Sequence, residues 1–199
     1  MLKMKPLALV ALVGVLSLPA LAADEPRKES AKTTLGLYVT AKEAWTMLQD
    51  DPKAILVDVR DPVEAKFTGF AAETDVHVPW MVADPSRWSE KQNSWAMARN
   101  VNFEQQLMEK LNALGASQET AVIVMCRSGS TRSAPVVNLL AEKGFTNAWT
   151  VVDGFEGSKL TEGDSKGVRA VNGWRNSGLP WSYKIDADVA WMPEKKEAD

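Results

Sequence analysis

An α/β domain with a central parallel sheet is the fold this sequence predicts, on three observations. Short segments rich in β-branched and other apolar residues (54–59, 122–125, 148–152) alternate with segments of helical period, the rhythm of strand, helix, strand, helix. Ala54-Ile55-Leu56-Val57-Asp58-Val59 is almost uninterruptedly apolar, as suits a strand covered on both faces. The residues with the most chemistry, Asp58, Arg60 and Cys126, fall at the carboxyl ends of such strands, where ligands of open α/β sheets bind.

The elements follow in order. Leu37-Tyr38-Val39 reads as a first strand. Thr40 and Glu43 have the spacing of a capping box, and Ala41, Trp45 and Leu48 share one face of the helix that Asp51-Pro52 ends. After the strand 54–59, Asp61-Pro62 opens a short helix through about Phe67, with Gly69 as its stop, and Val76-His77-Val78-Pro79 is a brief strand. Positions 80–100 form an insertion with Trp80, Trp88 and Trp95 spaced seven or eight apart. That spacing could align three indoles on one side of a helix, but Asp84-Pro85 interrupts any continuous one. The segment reads as an addition glued to the domain, an aromatic rim over the site, or a docking patch for a protein partner. Asn102 is placed to cap a helix with Phe103, Leu107, Leu111 and Leu114 on one stripe, ended by Gly115. A strand into Cys126 follows, then a helix over 132–143 with Ala134, Val137, Leu140 and Ala141 inward, and a last strand over 148–152. The polar, glycine-bearing stretch 157–173 reads as a long loop, and 174–180 as a closing helical turn.

The 199 residues, 45% hydrophobic and 25% charged, suit one globular domain with appendages, and a net charge of -3 argues against nucleic acid as a general partner. Lys3 and Lys5, an apolar run over 7–18 and Ala20-Leu21-Ala22 predict a cleaved secretory signal over 1–22. The run is too short to span a bilayer, so no stable membrane insertion is expected after cleavage and the chain is expected to be periplasmic or secreted. Residues 23–36 are read as a flexible leader and 185–199 as a charged tail. One cysteine and one histidine, His77, leave no intramolecular disulfide, no CxxC pair and no ligand set for zinc or haem, so no metal or other cofactor is expected. A lone thiol bound for an oxidising compartment is best explained by its reactivity.

Cys126-Arg127-Ser128-Gly129-Ser130-Thr131-Arg132 is poor core and a good anion cradle. A sulfur at a helix N-terminus meets unpaired N–H groups and the positive end of the helix dipole, and the arginines add to the pull, so a thiolate open to solvent is expected at Cys126. The amides of 128–132 would form a nest for a sulfur or phosphorus oxyanion. Asp58 and Arg60 are placed to form a buried ion pair bracing the loop, or else an ordinary surface pair.

These residues resemble the rhodanese family of single-domain sulfurtransferases. Leu56-Val57-Asp58-Val59-Arg60 with Glu64 is similar to the family's L-[IV]-D-V-R-x-x-x-E segment, and Val76-His77-Val78-Pro79 stands where it has N-[IV]-P. Cys126-Arg127-Ser128-Gly129 opens the active-site loop, Gly144-Phe145-Thr146-Asn147-Ala148 resembles the lead into the last strand, and Gly173-Trp174 with Gly178-Leu179-Pro180 resembles the terminal motif. The resemblance implies a domain over 37–184, folded as a three-layer α/β/α sandwich with a five-stranded parallel sheet. It further implies that Cys126 carries sulfur as a persulfide from thiosulfate or a protein persulfide to a thiol or cyanide, with Arg127, Arg132 and the loop amides binding the donor.

Two departures keep other chemistry open. Gly69-Phe70 replaces the usual G-H, and Thr131 lengthens the common C-R-S-G-x-R loop to C-x5-R. That length is similar to cell-cycle phosphatases and arsenate reductases, although Met125 stands where those have histidine. A phosphatase or arsenate-reductase-like enzyme, and a non-catalytic binding module of the same fold, are therefore the alternatives.

Overall fold

The computed structural model describes residues 23–193; the expected signal segment and residues 194–199 lie outside them. In chain order the elements are β1 (Tyr38–Val39), α1 (Ala41–Asp50), β2 (Ile55–Asp58), α2 (Pro62–Thr68), β3 (Phe70–Ala71), β4 (Thr74–His77), β5 (Met81–Ser89), β6 (Ser94–Arg99), α3 (Phe103–Ala113), β7 (Val122–Met125), α4 (Ser133–Glu142), β8 (Ala148–Val151) and β9 (Trp181–Ser182). Five strands form one parallel sheet in the order β1-β8-β7-β2-β4. The register sets Ile55 beside Val122 and Asp58 beside Met125, so β2 and β7 end level and deliver Arg60 and Cys126 to the same rim.

Side chains alternate across the strands and fill two separate cores, which makes the three layers. Ile55, Val57, Val122, Val124 and Cys126 face α3 and α4, meeting Phe103, Leu107, Leu111, Val136, Val137 and Leu140. Leu56, Ile123 and Met125 face the opposite way, against Ala41 and Ala44 of α1 and against Phe155 and Trp174. Full burial of Leu107 means that truncation to alanine costs about 2–5 kcal/mol.

The capping box read from the sequence at the start of α1 forms, and α2 has one that the sequence reading did not assign. Thr40 and Glu43 make the reciprocal capping box of α1, and Asp61 with Glu64 makes a second one on α2, with Pro62 at the first helical position.

Four expectations are corrected. The Trp-rich insertion is an antiparallel hairpin, β5 with β6, in which Trp88 pairs across from Trp95. Pro85, which forbids a helix, is tolerated in a strand because the register slips between Asp84 and Trp88, leaving its missing N–H without a ladder to break. Trp80 parts from the other two and packs edge-on against Phe103, while Trp88 and Trp95 are 55% and 58% exposed. Asn102 makes no side-chain cap on α3; Asn100 instead accepts from the Asn102 N–H at 3.2 Å. Leu114 falls outside the buried stripe because α3 ends at Ala113. The leader is anchored rather than loose, since Ala31 is buried and the Thr34 N–H donates to Asn138 of α4 at 2.7 Å.

Two features had no expectation. Trp181–Ser182 pairs antiparallel with Phe70–Ala71, closing the domain beside the 3-10 turn Arg175–Ser177. The stretch expected as a charged tail docks through one tryptophan: Trp191 packs against the α3 core, with its indole N–H donating to Gln106 at 3.0 Å. Among the described residues no helix is long and apolar enough to cross a membrane.

Candidate active site

Cys126 is the first residue past β7, and the loop that follows is held open by backbone pairing from behind. Phe155 and Glu156, just past β8, donate their N–H groups to the carbonyls of Cys126 and Arg127 at 2.9 and 2.8 Å. With those carbonyls tied outward, the loop's N–H groups are left over. Among the described residues no main-chain or side-chain oxygen accepts from the N–H of any residue in 128–132. Gly129 (φ 66°) and Gly154 (φ 60°) make the close approach possible, because a Cβ on either would overlap the facing backbone, Val152 O and Cys126 O respectively.

Helix α4 starts without any side-chain cap, so its orphan donors are free for the sulfur. The Ser133 hydroxyl lies 3.5 Å from Cys126 Sγ. Burial works against ionisation of Cys126, but the Arg132 charge, the Ser133 hydroxyl and the N–H groups of Ser128 and Ser133 outweigh it and hold the thiol below its ordinary value. The lowering of the thiol thus has a structural cause, whereas the expectation of an open sulfur is corrected: Cys126 is only 2% exposed. It is covered on one side by aliphatic side chains of the α3–α4 core and on the other by its own loop.

The two arginines of the loop are held differently. Arg132 forms a two-pronged pair with Glu64 of α2, Nη2 to Oε1 at 2.8 Å and Nη1 to Oε2, and is mostly buried. Burial opposes the charge on Glu64, and Arg132 overrides it, leaving the carboxyl below its usual range. A fork-to-fork pair of this kind fixes direction as well as charge, so Glu64 keeps the Arg132 cation beside the sulfur. Arg127 is half-exposed on the rim, with Nε 3.0 Å from Glu156 Oε1. Ser128 and Ser130 place their hydroxyls 3.4 Å apart, and Thr131 is exposed at the loop's crest.

Asp58 and Arg60 are a buried pair, both wholly inaccessible, with Nη2 2.6 Å from Oδ2 and Nε 2.8 Å from the same oxygen. Arg60 also donates to Thr68 Oγ1 and Gly69 O, both at 3.0 Å, and lies over the ring of Phe155, 3.9 Å from its centre. The pair therefore joins the end of β2, the C-terminus of α2 and the strand exit that backs the cysteine loop. His77 completes this layer, its Nε2 3.0 Å from Arg60 O.

Glu156, Ser133 and Arg169 also belong to the site, and the sequence reading did not assign them. Glu156 was findable, since it follows β8 at the same carboxyl rim as Cys126. Nothing in the sequence singled out Arg169, which the 157–173 segment brings back from a distance.

The rhodanese-like domain family matches residues 40–160. This chain belongs to that family. Among its relatives is an uncharacterized protein of Rickettsia prowazekii, 28% identical over 145 residues, a match that covers 73% of this chain and 96% of the relative. A rice chloroplast protein named thylakoid rhodanese-like is 25% identical over 144 residues, 72% of this chain and 25% of that one. Among solved structures, the crystal structure of Rv0390 from M. tuberculosis is 33% identical, covers 74% of this chain and 97% of its own, and superposes with a TM-score of 0.56.

Proposed function

We propose that this rhodanese-like protein is a sulfurtransferase that carries sulfane sulfur on Cys126. The observation that carries the reading is a thiol held below its ordinary value despite burial, at the entrance to a loop whose amides have no other acceptor. The Cys126 thiolate attacks the outer sulfur of thiosulfate, the bond from that sulfur to the sulfonate breaks, and sulfite leaves with the bonding electrons. Cys126 is then a persulfide anion, whose charge the amides of 128–132 and Arg132 stabilise. Cyanide or a thiolate attacks the outer sulfur, leaves as thiocyanate or a persulfide, and returns the Cys126 thiolate. No general base enters this reading, because the Arg132 charge and the loop's dipoles already favour the ionised thiol.

The test is thiocyanate formation from thiosulfate and cyanide, with mass spectrometry of the protein after donor alone. One added sulfur on Cys126, and no turnover by Cys126→Ser, is the expected result; equal turnover by both proteins rejects the reading. One observation favours a second reading: C-x5-R gives a longer cradle, suited to a tetrahedral phosphate or arsenate. Hydrolysis of an aryl phosphate with thiosulfate inert would replace the first reading with that one.

Export and a protein partner belong to the same proposal. The basic, then apolar, then small-residue order of 1–22 supports delivery outside the cytoplasm, and the exposed Trp88–Trp95 pair supports docking of a protein donor or acceptor.

A further inference from the structure

The charged groups around the cysteine loop do not balance in pairs. Glu64 is matched by Arg132 and Glu156 by Arg127. A third guanidinium, Arg169, joins them with no carboxylate within ion-pair distance among the described residues. Its Nη1 donates to Gly157 O at 2.6 Å, and Gly157 directly follows the Glu156 that holds Arg127. Its Nε is buried and meets no acceptor among the described residues.

Arg169 is also held in place, contrary to the long loose loop expected for 157–173. The segment folds back on itself: Lys159 bridges Arg169, Leu160 N–H donates to Val168 O at 2.8 Å, and Ser158 N–H donates to Asn172 Oδ1 at 2.7 Å. Burial together with the neighbouring Arg127 charge pushes Arg169 below its ordinary value, against the opposing pull of Glu156, Cys126 and Glu64. A structural arginine would be expected to sit opposite a carboxylate; this one is poised beside another cation at the rim of an anion-binding loop.

We propose that Arg169, with Arg127, selects sulfur donors that carry a second, outward-facing oxyanion. This rests on the sulfurtransferase reading. With the sulfane sulfur directed at Cys126, the sulfonate of a dianionic donor would lie toward the rim and meet the Arg169 guanidinium, which no carboxylate pairs among the described residues. A donor of the same shape with a methyl group in place of one sulfonate oxygen would forfeit that contact.

Thiosulfate and methanethiosulfonate differ in that way, and both deliver one sulfur, leaving sulfite and methanesulfinate respectively. Arg169→Gln is expected to lower the ratio of kcat/KM for thiosulfate over methanethiosulfonate by about tenfold or more, through KM for thiosulfate, the size of one charged hydrogen bond. Arg169→Lys, which keeps the charge but not the fork, is expected to recover part of it. An unchanged ratio in Arg169→Gln overturns the inference and leaves sulfur transfer standing. Calorimetric binding of thiosulfate to Cys126→Ser, with and without Arg169→Gln, reads the inference even without turnover. A tenfold or greater rise in Kd supports it, whereas equal Kd values, or no binding by Cys126→Ser itself, overturn it.

Discussion

Asp58→Ala is expected to cost about 3–5 kcal/mol, because it strands a wholly buried guanidinium. Arg60 now gives Nε and Nη2 to the Asp58 carboxylate, and without it only the neutral Thr68 Oγ1 and Gly69 O remain, with the face of Phe155. Neither oxygen carries charge, so the cation keeps its desolvation cost and loses its main compensation. Burial opposes ionisation of Asp58, and Arg60 outweighs it, holding the carboxyl below its ordinary value. A depressed carboxyl contributes stability that is complete above its unfolded value of about 3.9 and is lost as pH falls through the lower folded value. The full cost should therefore appear at pH 7. Against a total stability of about 5–15 kcal/mol it is a large fraction, and the melting temperature should fall by roughly 6–20 °C. Urea unfolding followed by tryptophan fluorescence measures it as a lowered midpoint at unchanged slope. Asp58→Leu with Arg60→Met removes both charges and should restore most of the loss, because two apolar groups need no partners. The reasoning is refuted by a single variant within about 1 kcal/mol of the parent, or by a double variant no better than the single.

Two further outcomes concern the loop. The pH profile of Cys126 alkylation by iodoacetamide should have its midpoint below that of a free cysteine, since a lowered thiol stays ionised to lower pH; Arg132→Gln should move that midpoint up, because burial persists while the main opposing charge is gone, and an unmoved midpoint would remove Arg132 from the account. Gly129→Ala should destabilise the protein by about 1–3 kcal/mol or slow sulfur transfer, as both a positive φ and overlap with Val152 O oppose the methyl group; a variant matching the parent in urea unfolding and turnover would show that the loop tolerates displacement from β8.

The sheet and its rim were legible because their signals are local. Unbroken apolar runs marked β2 and β7, a capping box marked α1, and the position of Asp58 and Arg60 at the end of a strand was enough to suggest a pair. What escaped depends on contacts remote in sequence. A tryptophan spacing near seven is compatible with a helix by period alone, but a cross-strand pair such as Trp88 and Trp95 depends on a turn between them, and Glu90-Lys91-Gln92-Asn93 carries no strong hairpin signature. Asn102 has the residue type of a cap, yet Asn100 took the local hydrogen bond. Glu64 could be quoted from its motif without revealing that it holds Arg132, 68 positions away, and nothing local to Arg169 gave its destination.

Ionisation and exposure were expected to travel together at Cys126, and their separation has a physical explanation. Water stabilises a thiolate through dipoles and through its high dielectric constant; the protein keeps the dipoles and removes the water. Ser128 and Ser133 supply N–H groups, Ser133 supplies a hydroxyl, and Glu64 holds the Arg132 cation in place, so the ionised form is favoured where bulk solvent does not reach. Preorganised dipoles cost no reorganisation when charge moves from the thiolate to the outer sulfur of a persulfide, whereas solvent would have to turn.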